Sequence, residues 1–439
     1  METRVALQDF VRIDSVYDET TKSDTMPFGQ GVHNALQYIG RLAERFGFDV
    51  DYCDGYCTEI SYGSGDTLVG IFAHADVVPV TGDWKYEKFG GQIEGNRIYG
   101  RGTSDDKGPL MAAFYAMKAL KDHNKLEGYR VRLVVGGDEE RGSSCLEHYF
   151  NVLKKEYPTY GFTPDAEFPL IYGEKGITNL HLNVPFTIPQ VKSIKGGVVL
   201  NAVCDECVIE IENDMAFVDF AKANKYIACD IEDDGTLMKL TFRGKTAHGS
   251  TPEKGVNAGY MGLRAIAEFY KDENLLNLVT KLSDTTGKAF NAFAQGRHLG
   301  KTTYNLGVLS LDNGTLKLGV NFRFPEDVSV DATMMRIKET FGCEVSHDEI
   351  SAPLLLNPQS KLIKTLMKAY YVETGDKTPA FTIGGGTYAK HAKNTVAFGA
   401  AFPYSVDTMH QPDEYMNLDD LYLASVIYAR AIDKLGRLK

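Results

Sequence analysis

The sequence predicts an α/β domain with a mostly parallel sheet covered by helices, interrupted by an inserted α+β domain. Three observations favour this fold class. Strand-like and helical segments alternate up to about residue 184. Strands with alternating polar residues dominate 185–352, and the α/β pattern returns at 353–439. A chain of 439 residues is also too long for one ordinary core.

The N-terminal part carries the signals of a covered parallel sheet. Apolar residues recur with a helical period or in strand-like runs, and the predicted elements are a helix in 31–48, a strand in 67–79, a hairpin in 89–102, a helix in 109–123, a strand in 129–140 and a helix in 145–157. Strands that alternate with helices favour parallel pairing with both faces covered.

The middle of the chain has a different character. Polar-alternating strands are predicted at 207–213, 235–244 and 316–324, with helices at 257–271 and 331–342. After residue 353 the predictions are a helix at 360–375, a strand at 395–403 and a helix at 418–435. We therefore assign 1–184 and 353–439 to one domain and 185–352 to an insert.

Composition limits the partners and the location. The formal net charge of −12 argues against nucleic acid, because phosphate binding needs a basic face. No apolar run of about 18 residues predicts a membrane span, and the start, METRVALQDF, lacks the apolar core of a signal peptide. Seven cysteines in so long a chain fit a reduced, cytoplasmic protein.

Histidines and carboxylates follow the ends of the predicted strands, where active sites of open α/β sheets form. They are His74, Asp76, Asp105, Asp106, Asp138, Glu139, Glu140, Asp165, Glu167 and His410. Acids that converge repel one another and raise one another's pKa values, and a divalent cation removes that cost. Imidazole and carboxylate ligands without cysteine suit zinc, manganese or cobalt.

Each group also has an ordinary structural explanation. His74 and Asp76 could be a hydrogen-bonded pair closing a strand, Asp105 and Asp106 could cap a helix, and Asp165 could belong to a turn. Glu139 and Glu140 could lie in a solvated loop, and His410 could be a surface residue. Their joint occurrence at strand ends favours a shared metal centre. Adjacent residues in extended chain point in opposite directions, so Glu139 and Glu140 are expected to have different tasks.

Eight motifs in order carry a family resemblance: AHADVVP, YGRGTSDDKGP, DEERGS, PDAEFP, AHGSTPEKGVNA, NFRFPED, GGGTYAK and TMHQPDE. They resemble the dinuclear zinc metallopeptidases of the aminoacylase and carboxypeptidase-G type, and look closest to PepV-like bacterial dipeptidases, relatives of carnosinase. The resemblance runs from about residue 26 to 415. One departure is a short N-terminus, which leaves little room for the first helix of such enzymes.

The resemblance implies two divalent metal ions, zinc first, with manganese or cobalt as alternatives. It implies His74 and Asp165 as ligands of one ion, Asp105 as a bridge, and Glu140 and His410 as ligands of the other. Asp76 would orient His74.

Glu139 would be the general base that takes a proton from a metal-bridging water. The resembling enzymes also hold a cis peptide after the bridging aspartate, here between Asp105 and Asp106.

Substrate-side residues are implied in the insert, which would act as a lid. His248 would polarise the scissile carbonyl, Arg323 would hold the substrate carboxylate, and Asn201 would assist. The glycine turn with Gly385 and Gly386 exposes N–H groups that could also hold a carboxylate.

The expected function is a metal-dependent dipeptidase acting on short peptides with a free C-terminal carboxylate. An N-acyl amino-acid deacylase on the same scaffold is the alternative, and a non-catalytic metal or peptide binder is a third reading. Because the insert is longer than a single small lid needs, it could supply His248 to its own active site, which favours a monomer.

Overall fold

The computed structural model describes residues 2–224 and 227–438, which form two compact units. The main unit comprises residues up to Gly173, Leu356–Thr382 and the chain from Thr387 onward. The inserted unit comprises Glu174–Leu355 and Ile383–Gly386. The predicted fold class is confirmed, since the main unit contains a helix-covered sheet with parallel strands and the inserted unit is α+β.

The helices are α1 (Glu2–Val11), α2 (Gln30–Arg45), α3 (Lys107–Asp122), α4 (Ser144–Glu147), α5 (Met215–Ala223), α6 (Ala258–Phe269), α7 (Glu273–Leu282), α8 (Val330–Phe341), α9 (Lys361–Thr374) and α10 (Leu418–Gly436). The strands are β1 (Asp49–Asp51), β2 (Cys57–Gly63), β3 (Leu68–His74), β4 (Gln92–Glu94), β5 (Arg97–Tyr99), β6 (Arg130–Gly136), β7 (Tyr160–Thr163), β8 (Ala166–Glu167), β9 (Ile171–Glu174), β10 (Gly176–Pro185), β11 (Val191–Gly196), β12 (Glu206–Glu212), β13 (Cys229–Asp233), β14 (Leu237–Arg243), β15 (Thr303–Asp312), β16 (Thr315–Phe324), β17 (Glu344–His347), β18 (Leu354–Leu355), β19 (Phe381–Ile383), β20 (Thr395–Ala397), β21 (Ala400–Ala401) and β22 (Tyr415–Asn417).

The central sheet of the main unit runs in the order β1–β2–β6–β3–β7–β20–β9. The four middle strands, β6, β3, β7 and β20, are parallel to one another, whereas the pairs β1–β2, β2–β6 and β20–β9 are antiparallel. All seven residues of β3 are buried, so helices and loops cover both faces at the centre. The carboxyl ends of the middle strands therefore meet at one edge, which is where the candidate site forms.

Two helices of the main unit stabilise this arrangement. Helix α3 packs against α10, and both contact β3 and β6. The chain returns from the inserted unit to build α9, β20 and α10, so the residues before and after the insert share one hydrophobic core.

The N-terminus differs from expectation. The short N-terminal stretch does form a helix, α1, whose Leu7, Phe10 and Val11 are fully buried. The buried ammonium of Lys107 donates to the main-chain oxygens of Phe10 at 3.3 Å and Ile13 at 2.7 Å. A helix of ten residues is thus sufficient at this position, because Lys107, at the start of α3, binds main-chain oxygens at and just after the end of α1.

Two predicted elements are interrupted. The helix expected at 145–157 is only one turn, α4, followed by a π-helical turn at His148–Val152. The strand expected at 395–403 is divided into β20 and β21. The predicted hairpin is confirmed as β4 and β5, with its turn at residues 95–96.

The inserted unit contains one antiparallel sheet in the order β13–β14–β12–β11–β15–β16–β10–β17. It has its own hydrophobic core, to which α6, α7 and α8 contribute. Within the described ranges, no helix has the length and apolar character needed to cross a membrane.

Candidate active site

His74 ends the buried strand β3 and is fully enclosed. Its Nδ1 donates to the main-chain oxygen of Asp76 at 2.9 Å. A neutral ring with its proton on Nδ1 would offer the lone pair of Nε2 to a metal ion. Nε2 lies 3.0 Å from Asp105 Oδ1 and 3.7 Å from Asp165 Oδ2, so these three side chains form one group that could hold a metal ion.

A second group shares Asp105 with the first. His410 Nε2 lies 2.9 Å from Asp105 Oδ2 and 3.1 Å from Glu140 Oε1. Within each group the possible ligand atoms lie within 4.8 Å of one another. The two carboxylate oxygens of Asp105 therefore face two different imidazoles, which is the arrangement a bridging carboxylate needs.

The acids of the cluster differ in their electrostatics. Burial would raise the pKa of Asp105, but hydrogen bonds with His410 and His74 lower it. Burial and the neighbouring carboxylate of Asp105 raise the pKa of Asp165 to about 7. Burial and Asp105 also raise the pKa of Glu140. Burial opposes protonation of His410, but its contacts with Asp105 and Glu140 raise the pKa of that imidazole to about 11.

The donor set fits divalent metal ions. It offers imidazole nitrogen and carboxylate oxygen and no thiolate, which suits zinc, manganese or cobalt. Positive charge placed between these carboxylates would remove the repulsion that raises their pKa values. The residues present could thus hold two ions that share one ligand.

Asp105 and Asp106 do not cap a helix. Asp106 stands at the N-cap position of α3, yet its side chain makes no capping hydrogen bond. Its Oδ2 accepts from the main-chain N–H of His74 at 3.1 Å instead. The predicted cis peptide between Asp105 and Asp106 is present.

Glu139 and Glu140 follow β6 in a turn rather than in extended chain. Only Glu140 belongs to a candidate metal group among the described residues. Burial and the carboxylate of Asp165 raise the pKa of Glu139 well above its ordinary value. The raised pKa makes Glu139 a stronger proton acceptor than an ordinary glutamate.

Asp76 connects His74 to this turn. Its Oδ1 accepts from the N–H of Glu139 and its Oδ2 from the N–H of Glu140, each at 3.1 Å. The Asp76 carboxylate lies 3.5 Å from His74 Nδ1, farther than its own main-chain oxygen. One residue therefore contacts both His74 and the turn that carries the two glutamates.

Two more of the carboxylates at strand ends, Asp138 and Glu167, lie outside both metal groups. Asp138 Oδ2 accepts from the N–H of Ser144 at 3.2 Å and contacts its hydroxyl, at the start of α4. Glu167 is exposed. Asp138 therefore binds the first turn of α4, and Glu167 faces solvent.

Two further buried residues beside the cluster were not found from the sequence. The ring of Tyr388 lies edge-on to His74, with 6.1 Å between ring centres, and its hydroxyl lies 3.0 Å from Cys145 Sγ. Glu414 is fully buried and accepts the N–H of Asp105 at 3.2 Å. The only sequence signal for Glu414 is its place in the TMHQPDE motif.

The substrate-side candidates meet within the inserted unit. Arg323, on β16, donates from Nη2 to His248 Nε2 at 3.4 Å and from Nη1 to the main-chain oxygen of Gly384 at 2.6 Å. The main-chain oxygen of Asn201 accepts from the N–H of Gly249 at 2.6 Å, next to His248. Gly385 and Gly386 follow Gly384 in the same unit.

Arg323 is a buried cation, only 3% exposed. Its third hydrogen bond, from Nε, reaches Asn321 Oδ1 at 2.9 Å. Over residues 2–224 and 227–438, no carboxylate contacts this guanidinium, and burial lowers the pKa of Arg323 to about 10. A buried guanidinium with neutral partners is suited to receive an anion.

Comparison with known proteins shows similarity along nearly the whole chain. The sequence profile of Peptidase family M20/M25/M40 matches residues 70–434. The chain is 38% identical over 452 residues to the protein named "Putative dipeptidase YtjP" of Bacillus subtilis (strain 168), covering 98% of this chain and 96% of that protein.

Solved structures show the same fold. An M20 family metallo-carboxypeptidase, Sso-CP2 from Sulfolobus solfataricus, superimposes with a TM-score of 0.62 at 18% identity, covering 100% of both chains. Human carnosine dipeptidase 1 gives a TM-score of 0.61 at 14% identity, covering 100% of this chain and 96% of that chain. At these identities the likeness concerns the fold alone.

Proposed function

The chain belongs to Peptidase family M20/M25/M40, and we propose that within this family of hydrolases it is a dinuclear metal-dependent dipeptidase that cleaves dipeptides with a free C-terminal carboxylate. The observation that carries the proposal is the pair of metal-ligand groups that share Asp105. The name of the relative from Bacillus subtilis supports a dipeptide substrate.

Five residues would hold two divalent ions. His74 and Asp165 would bind one, His410 and Glu140 the other, and Asp105 both. Zinc is the first choice, with manganese or cobalt as alternatives, because imidazole and carboxylate ligands suit all three. When bound, the ions would supply Lewis acidity toward the scissile carbonyl and lower the pKa of a bound water.

Glu139 would act as the general base. It lies beside the cluster without belonging to either metal group, so its carboxylate stays available for proton transfer. Its raised pKa favours accepting a proton from the attacking water and returning it to the leaving amine. Asp76 would hold the turn of Glu139 in place through the hydrogen bond to its N–H.

The inserted unit would supply the residues that select the substrate. Arg323 would bind the C-terminal carboxylate, which gives the buried guanidinium the anion that its present partners do not provide. His248, in contact with Arg323, would stabilise the oxyanion. Asn201 and the main chain of Gly385 and Gly386 would assist in holding the substrate.

The anchor on Arg323 also sets substrate length. An anchored carboxylate positions the carbonyl one residue away, so dipeptides should be preferred over longer peptides and over C-terminal amides. We further propose that the enzyme acts in the cytoplasm as a monomer, with His248 and the metal ligands of one site supplied by one chain.

A matched substrate panel tests the proposal. The metal-loaded protein is assayed with dipeptides, their C-terminal amides, a decapeptide, and N-acetyl and N-succinyl amino acids. We expect efficient cleavage of free dipeptides alone. Preferential hydrolysis of the N-acyl amino acids would identify a deacylase. Unchanged activity after chelation of the metal would contradict the metal dependence.

A further inference from the structure

Glu414 is a fully buried carboxylate that the proposed reaction leaves without a task. It lies four residues after His410, in the same motif. Its two oxygens accept five hydrogen bonds, from Arg101 Nη1 at 2.7 Å, Gly102 N at 3.1 Å, Ser104 N at 2.9 Å, Ser104 Oγ at 3.0 Å and Asp105 N at 3.2 Å.

The cation in this network is buried as well. Arg101 is 1% exposed, and its Nη1 also donates to the main-chain oxygen of Gln411 at 3.4 Å. Taking two charges out of water costs free energy that their attraction often fails to offset, so a buried ion pair is weak support for stability alone. Its value is expected to lie in the geometry that it fixes.

The hydrogen bonds of Glu414 and Arg101 join two segments of the main unit that are distant in sequence. One is 101–105, which ends at Asp105, and the other is 410–414, which begins at His410. Glu414 belongs to the second segment and accepts hydrogen bonds from four of the five residues of the first, all except Thr103. The same two segments also bring Asp105 Oδ2 and His410 Nε2 to within 2.9 Å of each other.

We propose that Glu414 is a positioning residue that sets the separation of Asp105 and His410, and thereby the affinity of the metal site that these two residues form with Glu140. The assignment rests on the proposed function, because it concerns an ion of that dinuclear centre. The hydrogen bond between Glu414 and Asp105 involves the main-chain N–H of Asp105 and not its side chain.

Glu414→Gln tests this assignment with little change in shape. The amide replaces one accepting oxygen by an NH₂ group that faces N–H donors, so at least one of the two segments must shift. Removing a partner that orients a metal ligand costs roughly 10–100-fold in metal affinity. We expect a loss of that size for one ion, measured by calorimetric titration of the metal-free full-length protein with Zn²⁺. The visible absorption of bound Co²⁺ should change at the same site.

Glu59→Gln is the matched control. Glu59 is 8% exposed, lies on β2 in the same unit, and has its own cation, Lys155 Nζ at 3.1 Å. None of its contacts is a candidate metal ligand. This variant should bind both ions like wild type even if it melts at a lower temperature. An equal loss of metal affinity in Glu59→Gln would show a general effect of destabilisation and overturn the assignment.

Ser104→Ala keeps the test decisive if Glu414→Gln does not fold. It removes only the 3.0 Å hydrogen bond from the Ser104 hydroxyl. A loss of affinity for one ion supports the assignment, and unchanged affinity in the folded variants overturns it. If wild type itself binds fewer than two ions, the dinuclear proposal fails instead, so the two failures are distinguishable.

Discussion

Each of the two units buries charged side chains, but of opposite sign. In the main unit, Asp105, Glu140 and Asp165 crowd together, and burial with mutual repulsion raises the pKa values of the last two. In the inserted unit, Arg323 is buried among neutral hydrogen-bond acceptors. The first arrangement favours cations and the second an anion, so the buried charge of each unit supports the ligand class that we propose for it.

The largest effect should come from the main unit through Glu139. Glu139→Gln removes the base but no metal ligand, so turnover on dipeptides should fall roughly 10²–10⁴-fold while both ions still bind. Initial rates and metal content measured on the same preparation check this. Glu167→Gln, an exposed carboxylate of the same unit, is the control and should keep wild-type turnover. Near wild-type rates for Glu139→Gln would show that Glu139 is not the general base.

The next effect should come from the inserted unit. Arg323→Met removes the proposed carboxylate anchor, worth about 2–3 kcal/mol, so kcat/KM for free dipeptides should fall roughly 30–150-fold. The loss should be much smaller for dipeptide amides, which lack the anion. Arg297→Met, at an exposed arginine of the same unit, provides the control. Equal losses on acids and amides would show that Arg323 stabilises the unit rather than binding a carboxylate.

A smaller effect concerns the pH dependence of the metal-free protein. The pKa of Asp165 is raised to about 7, so between about pH 4 and 7 the native state holds a proton that the unfolded state has released. Stability should therefore fall as the pH rises through this window, by on the order of 1–3 kcal/mol. Thermal melting of the chelator-treated protein at several pH values measures this fall.

Asp165→Asn sharpens that prediction because it removes the titrating group. The fall in melting temperature between pH 4 and 7 should become shallower in this variant and remain unchanged in Glu167→Gln. A melting temperature of the metal-free wild type that rises across the window would contradict the crowding of acids in the main unit.

The candidate site residues that the sequence predicts are those that directly follow the end of a predicted strand. His74 and Asp76 were identifiable because an apolar run stops at them, and the structure indeed places His74 at the end of β3. Different tasks for Glu139 and Glu140 remain a prediction, and the extended chain on which it was based is a turn in the structure. Among the described residues, only Glu140 belongs to a candidate metal group. Local patterns thus located the cluster of the main unit.

Other features depend on contacts between distant residues, which no local pattern reveals. Glu414 meets Asp105 across 309 positions of sequence. The hydrogen bonds from the turn at Glu139 and Glu140 to Asp76 are equally non-local. Helix α1 was not expected because its stability comes from burial and from Lys107 rather than from length.

The most direct test of the central claim is the metal stoichiometry of the wild-type protein and of Asp105→Asn. Metal-free protein is titrated with Zn²⁺, and the bound ions per chain are counted by calorimetry and elemental analysis. Because Asp105 faces both imidazoles, we predict two ions for wild type and weakened binding of both in Asp105→Asn. A wild type that binds one ion or none, or an Asp105→Asn variant that keeps both at full affinity, would contradict a shared dinuclear centre.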